Sequence, residues 1–131
     1  MKQSLLVHES PSIVCTVTSL LEGDGYEVIC VENGKAALEN VTGLKYDVLV
    51  TGLNIPKMNS LELINNIRLR NNCIPIVILS NTESVETAVE AMRIGADDFV
   101  SEKDENLGKA LLFVIERAIQ LKRAERRMQI Y

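Results

Sequence analysis

Four short polar clusters hold the residue types from which chemistry could be built: His8-Glu9-Ser10, Thr51-Gly52-Leu53-Asn54, Ser80-Asn81 and Ser101-Glu102-Lys103. Glu9 and Glu102 could frame a cation site, and His8 could accept a phosphoryl group or bind a transition metal. A lone histidine and two carboxylates do not by themselves specify either. Thr51 and Ser80 add hydroxyls as further phosphoryl acceptors. One histidine in the whole chain leaves little from which to assemble a His-rich metal site or a Ser-His or Cys-His nucleophilic pair. Cys15, Cys30 and Cys73 are odd in number and widely spaced, with no CxxC, so neither a disulfide framework nor a zinc knuckle is indicated. They are expected to be reduced, structural residues.

Each polar cluster follows a short apolar run, and these runs need elements to hold them. Ser4 to Val7, Val28 to Val31, Val48 to Val50, Ile74 to Leu79 and Phe99 to Val100 have the length and β-branched content of buried parallel strands. Helix-spaced segments alternate with them. The first follows Ser10-Pro11, a cap and a first-turn proline, buries Ile13, Val14, Val17, Leu20 and Leu21, and stops at Gly23 and Gly25. The second opens at Asn33-Gly34 with Ala37, Leu38 and Val41 inward. The third follows Asn59-Ser60 with Leu61, Leu63, Ile64 and Ile67. The fourth follows Thr82 or Ser84 with Val85, Ala88, Val89 and Met92, and ends at Gly95. The fifth starts near Asp104 and runs toward the C-terminus.

Five strand-helix units in succession predict a parallel sheet covered on both faces, because each right-handed crossover lays its helix on the sheet. In such a doubly wound sheet, sites lie at the carboxyl ends of the strands, where the four clusters fall. The 131 residues, 47% hydrophobic and 24% charged, suffice for one domain, which buries roughly two-thirds of its unfolded surface without staples. A flavin phosphate is not expected, since His8-Glu9-Ser10-Pro11 offers negative charge and a missing N–H where such a phosphate needs free backbone donors.

Several stretches, in order and spacing, resemble the response-regulator receiver domain, the phospho-accepting module of two-component signalling, to about Leu121. Leu6-Val7-His8-Glu9-Ser10-Pro11-Ser12 is similar to its first strand and acidic turn. Gly25-Tyr26-Glu27-Val28 and Glu32-Asn33-Gly34-Lys35-Ala36-Ala37-Leu38 resemble its second strand and helix. Tyr46-Asp47-Val48-Leu49-Val50 and Leu53-Asn54-Ile55-Pro56-Lys57-Met58-Asn59-Ser60 resemble its third strand and active-site loop. Ile74-Pro75-Ile76-Val77-Ile78-Leu79-Ser80 and Gly95-Ala96-Asp97-Asp98-Phe99-Val100 complete the match. The resemblance implies a flavodoxin-like (βα)5 doubly wound parallel five-stranded sheet of strand order 2-1-3-4-5, here with an extended C-terminal helix.

The departures fall where the family's chemistry sits. The resemblance implies a phospho-accepting aspartate at the end of the third strand, two acids after the first that help hold Mg2+, and a lysine after the fifth that pairs with the phosphoryl group. Gly52 stands at the aspartate position and has no side-chain nucleophile. His8, a poor ligand for Mg2+, replaces the first acid; Glu9 keeps the second as the one weak metal candidate. Glu102 replaces the lysine and reverses its charge; Lys103, one residue on, belongs to the opposite face. Asn54 aligns with a residue whose backbone carbonyl reaches the metal. Ser80 matches the family's switch hydroxyl and Phe99 its switch aromatic. These losses together predict a degenerate, or pseudo-, receiver. It would bind no cofactor, hold Mg2+ weakly or not at all, and perform no enzymatic reaction. The rival expectation is a ligand or metal sensor, with Gly52 leaving room for water or a small molecule.

Partner binding is expected instead, through the fourth helix, fifth strand and fifth helix, with Phe99, Met92 and the neighbouring Lys103 on that surface. Residues 1–121 form the expected receiver-like domain and 122–131 the projecting end of a helix unbroken by proline from Glu105 to Tyr131. Its spacing suits either a homodimer or a link to an adjoining domain of a larger sensor protein, and an end without a capping signal fits a truncated chain. The chain carries a net charge of −4 overall, yet five basic residues against one acid make its last fifteen residues basic. Interleaved with apolar residues, these read as a solvated helix face, and nucleic acid is not expected as a partner. The longest apolar run, Ala110 to Ile115, is far below the ~20 residues of a membrane span, so a cytoplasmic protein is expected, with no membrane partner.

Overall fold

The computed structural model describes residues 2–43, 45–53, 55, 57–70, 72–80 and 85–129, with the side chains of 85 and 126–129 left aside. Strands and helices alternate strictly: β1 (Lys2–Val7), α1 (Pro11–Gly23), β2 (Tyr26–Val31), α2 (Gly34–Gly43), β3 (Val48–Gly52), α3 (Ser60–Leu69), β4 (Ile76–Ser80), α4 (Val85–Ile94), β5 (Asp98–Ser101) and α5 (Leu107–Gln129). All strand pairs are parallel, in the order β2-β1-β3-β4-β5, which is the predicted flavodoxin-like topology.

Strand alternation explains the two layers. Leu5, Val7, Leu49, Ile76 and Ile78 face α2, α3 and α4, and pack with Leu38, Val41, Leu63, Ile64, Ile67 and Ala91. Leu6, Val48, Val50, Val77 and Leu79 face the other way, against Val17 and Leu21 of α1 and Leu111, Ile115 and Ala118 of α5. Every residue of β3 and β4 is buried, which is why these strands read as continuous apolar runs rather than alternating ones.

Several boundaries differ from the sequence reading. β1 begins at Lys2 because it pairs with Tyr26 at the start of β2. Ile74 and Pro75 precede β4; Leu49 N–H donates to the Pro75 carbonyl at 2.8 Å, so they serve as its approach. α5 starts at Leu107, since Asp104 forms a turn whose side chain accepts from Asn106 N–H at 2.8 Å. The proposed caps Thr82 and Ser84 lie outside the described residues. α1 has Pro11 in its first turn as expected, although Ser10 makes no side-chain cap bond. Asn59 does cap α3, accepting from Glu62 N–H at 2.9 Å. The cysteines are not core residues: Cys15, Cys30 and Cys73 are free and exposed.

At the amino-terminal end of the sheet, Asp97 joins four elements. Its Oδ2 accepts from Ile76 N–H at 2.8 Å and from Arg68 Nη2 at 3.1 Å, while Oδ1 lies 3.3 Å from Lys122 Nζ. Arg68 also donates to the carbonyls of Gly95 and Asn72. Gly95, at φ +131°, provides the left-handed stop of α4, and a Cβ there would lie 2.7 Å from Arg68 Cγ. Burial lowers the Arg68 pKa and Asp97 opposes that shift. The contact with Lys122 ties α5 to the domain at the first residue of the expected projecting end.

Two predictions follow from this packing. Asp97→Ala leaves a largely buried guanidinium without its carboxylate and should lower the unfolding free energy by ~3 kcal/mol in urea titration, whereas Lys122→Met should cost less than ~1 kcal/mol. Burial, with Glu116, Asp24 and Asp47 nearby, pushes the Tyr26 phenol up to about 12. The folded state therefore keeps the proton after the unfolded chain has released it. This contribution is complete below the unfolded value of about 10 and is lost as pH rises through 12. Across that window wild type should lose stability relative to Tyr26→Phe in melting experiments; a constant difference would remove the assignment.

Candidate functional site

The parallel arrangement brings the carboxyl ends of β1, β3, β4 and β5 to one edge, and His8, Gly52, Ser80 and Glu102 meet there. His8 directly follows β1 and its side chain is only 5% exposed. Its Nδ1 accepts from Ser10 N–H at 2.9 Å, which assigns the ring hydrogen to Nε2. That Nε2–H donates to the Oε1 of Glu102, whose side chain is 10% exposed. Glu102 is itself held by its backbone, N–H donating to the Ser80 carbonyl at 2.8 Å.

Gly52 ends β3 beneath this pair. A Cβ at that position would lie 2.8 Å from His8 Cδ2 and 3.2 Å from Nε2. The imidazole therefore occupies the space that a side chain at position 52 would need. This corrects the expectation that Gly52 leaves room for water or a small ligand: the room exists and His8 fills it.

Glu9 is exposed, whereas the Glu102 side chain is nearly buried and bonded to His8. Among the described residues, no group of three or more His, Cys, Asp or Glu side chains is placed to hold a metal. A Mg2+ ion wants several hard oxygen ligands, and here an imidazole stands at one position while the nearest carboxylate is engaged by it. The residues present do not fit that ion. Asn54 lies outside the described residues. Thr51 is fully buried and its hydroxyl donates to the Gly52 carbonyl at 3.0 Å, while Ser80 is 4% exposed, so neither hydroxyl stands open to a phosphoryl donor.

Phe99 and Met92 lie on the surface, 46% and 38% exposed, with Val89 of α4 and Leu121 of α5 also exposed. Lys103 is exposed, but β5 ends at Ser101 and Glu102 and Lys103 stand in the turn that follows, so the strand alternation expected of this pair does not apply. Sequence reasoning placed His8, Gly52 and Glu102 in one altered pocket and missed that the imidazole fills the space over Gly52 and bonds Glu102. The signal was there: a ring N–H donor at 8 and a carboxylate acceptor at 102 can pair.

Comparison with known proteins agrees with this frame. Residues 5–111 match the family described as response regulator receiver domain. Transcriptional regulatory protein ZraR of Klebsiella oxytoca is 35% identical over 97 residues, 73% of this chain and 22% of that protein. Regulatory protein AtoC of Escherichia coli (strain K12) is 29% identical over 117 residues, 89% of this chain and 25% of that protein. The chain thus spans about a quarter or less of the length of these curated relatives. Among solved structures, NtrX from Brucella abortus in complex with ADP superposes with a TM-score of 0.89 at 24% identity, over 98% of this chain and 30% of that one. A receiver domain protein from Clostridium thermocellum gives 0.85 at 23% identity, over 95% of this chain and 98% of that one. The chain belongs to the response regulator receiver domain family.

Proposed function

We propose that this receiver domain signals without phosphorylation, by binding protein through α4, β5 and α5, and that it is not an enzyme. The observation that carries the reading is the His8 imidazole seated over Gly52 and bonded to Glu102. The resemblance puts a nucleophile, a metal ligand and a phosphoryl-binding cation at positions 52, 8 and 102. Here the first is absent, the second is a ring that fills the vacancy, and the third is an anion. Glu102 in the lysine position would repel phosphoryl oxygens.

The surface that remains for signalling is apolar and uncovered. Val89, Met92, Phe99 and Leu121 are exposed on α4, β5 and α5, and exposed apolar clusters of this kind mark interaction sites. No helix among the described residues is long and apolar enough to cross a membrane. The partner tested first is a second copy of the chain, because pairing two such faces would bring two α5 helices together. In a longer regulator, as the relatives' names and lengths suggest, those helices would carry the pairing to whatever domain follows.

Incubation with acetyl phosphate and Mg2+ should give no phosphoryl mass gain by intact-mass spectrometry; a stoichiometric gain would overturn the reading. Gly52→Asp alone should not restore acceptance, since its side chain meets His8, and should destabilise by ~1–3 kcal/mol. The triple variant His8→Asp, Gly52→Asp, Glu102→Lys should recover beryllofluoride binding, read by amide shifts on titration. Phe99→Ala should weaken self-association about tenfold in sedimentation equilibrium with an unchanged melting temperature, and equal association by both proteins would remove the face assignment.

A further inference from the structure

We propose that the His8–Glu102 hydrogen bond is a permanent clamp that fixes the free end of β5, and with it the face bearing Phe99, in one arrangement. β5 is four residues long and lies at the edge of the sheet, with β4 as its sole strand neighbour. Short edge strands with one partner are where a sheet opens first. Past the ladder, which ends at Ser80 opposite Ser101, the chain is held by Glu102 N–H on the Ser80 carbonyl and by the Glu102 side chain on His8.

The second of these contacts reaches across the whole half-sheet. β1 and β5 are three strand steps apart, roughly 14 Å at the usual spacing. Two side chains close that distance because the ring crosses over the end of β3, where position 52 carries no side chain. The orientation of the ring is itself fixed, since Ser10 N–H holds Nδ1 and leaves Nε2 aimed at Glu102. Both members are nearly buried, so solvent competes little for the bond. Phe99 lies on β5 three residues before Glu102, which stands in the turn just past that strand, so the exposed apolar face is carried by the segment whose end the clamp holds.

This inference rests on the preceding reading for its consequence in binding, but the clamp itself is measurable without a partner. Hydrogen exchange followed by amide NMR would compare wild type, Glu102→Ala, Glu102→Gln and Gly52→Ala. In Glu102→Ala the backbone amides of residue 102 and of β5 should exchange about tenfold faster or more, with β1 and β3 amides unchanged. Glu102→Gln, which keeps an acceptor for the Nε2–H, should restore most of the protection. Gly52→Ala, which displaces the ring without touching Glu102, should reproduce the loss. Unchanged exchange at β5 in Glu102→Ala, or acceleration spread equally over β1 and β3, would overturn the clamp. Sedimentation of the same Glu102→Ala protein separates the two ideas: faster exchange with weakened self-association supports the hold of the clamp on the face, faster exchange with unaltered self-association overturns that hold, and the face itself stands or falls with Phe99→Ala.

Discussion

The bond from His8 to Glu102 exists because position 52 has no side chain. Any Cβ at the end of β3 would lie within 2.8 Å of the imidazole, and the ring would have to leave the line between β1 and β5. One missing atom therefore decides what the carboxyl edge of the sheet can contain. With glycine there, the edge is closed by a nearly buried pair whose hydrogen-bond capacity is met on both sides, by Ser10 N–H and by Glu102.

Taken singly, each replacement is unfavourable. A glycine in a strand packs nothing, a histidine beside the sheet end needs a partner, and a carboxylate with a tenth of its surface exposed needs a donor. Together they satisfy one another, and among the described residues no buried side-chain nitrogen or oxygen lacks a hydrogen-bond partner. The ring and the carboxylate satisfy each other across the edge, with the neutral imidazole donating from Nε2 and Glu102 accepting.

The fold was legible because it depends on patterns of residue type. β3 and β4 are buried on both faces and show it as unbroken Val, Leu and Ile, and Asn33, Asn59, Gly25 and Gly95 punctuate the helices as their local chemistry requires. The order 2-1-3-4-5 came from the resemblance rather than from periodicity. The individual site positions were equally legible. That the ring bonds Glu102 was not, because the His8–Glu102 contact links residues 94 apart in sequence and depends on a space that only three-dimensional placement defines. The cysteines are free, as expected for reduced thiols, while their exposure was not legible: α1 and edge strand β2 turn Cys15 and Cys30 to solvent, and Cys73 precedes β4.

The two ends of the sheet are secured by unlike means. At the amino end, Asp97 ties α3, β4, β5 and α5: its carboxylate takes three donors, two of them cations, and its own N–H donates to the Ile76 carbonyl. With the carboxylate at the centre, loss of one peripheral donor such as Lys122 costs little, while loss of Asp97 removes the junction. At the carboxyl end, just past β5, the described contacts include the Glu102 N–H on the Ser80 carbonyl and the Glu102 side chain on His8. Phe99 lies between these anchorages on β5, so the exposed apolar face is carried by a strand held at both of its ends.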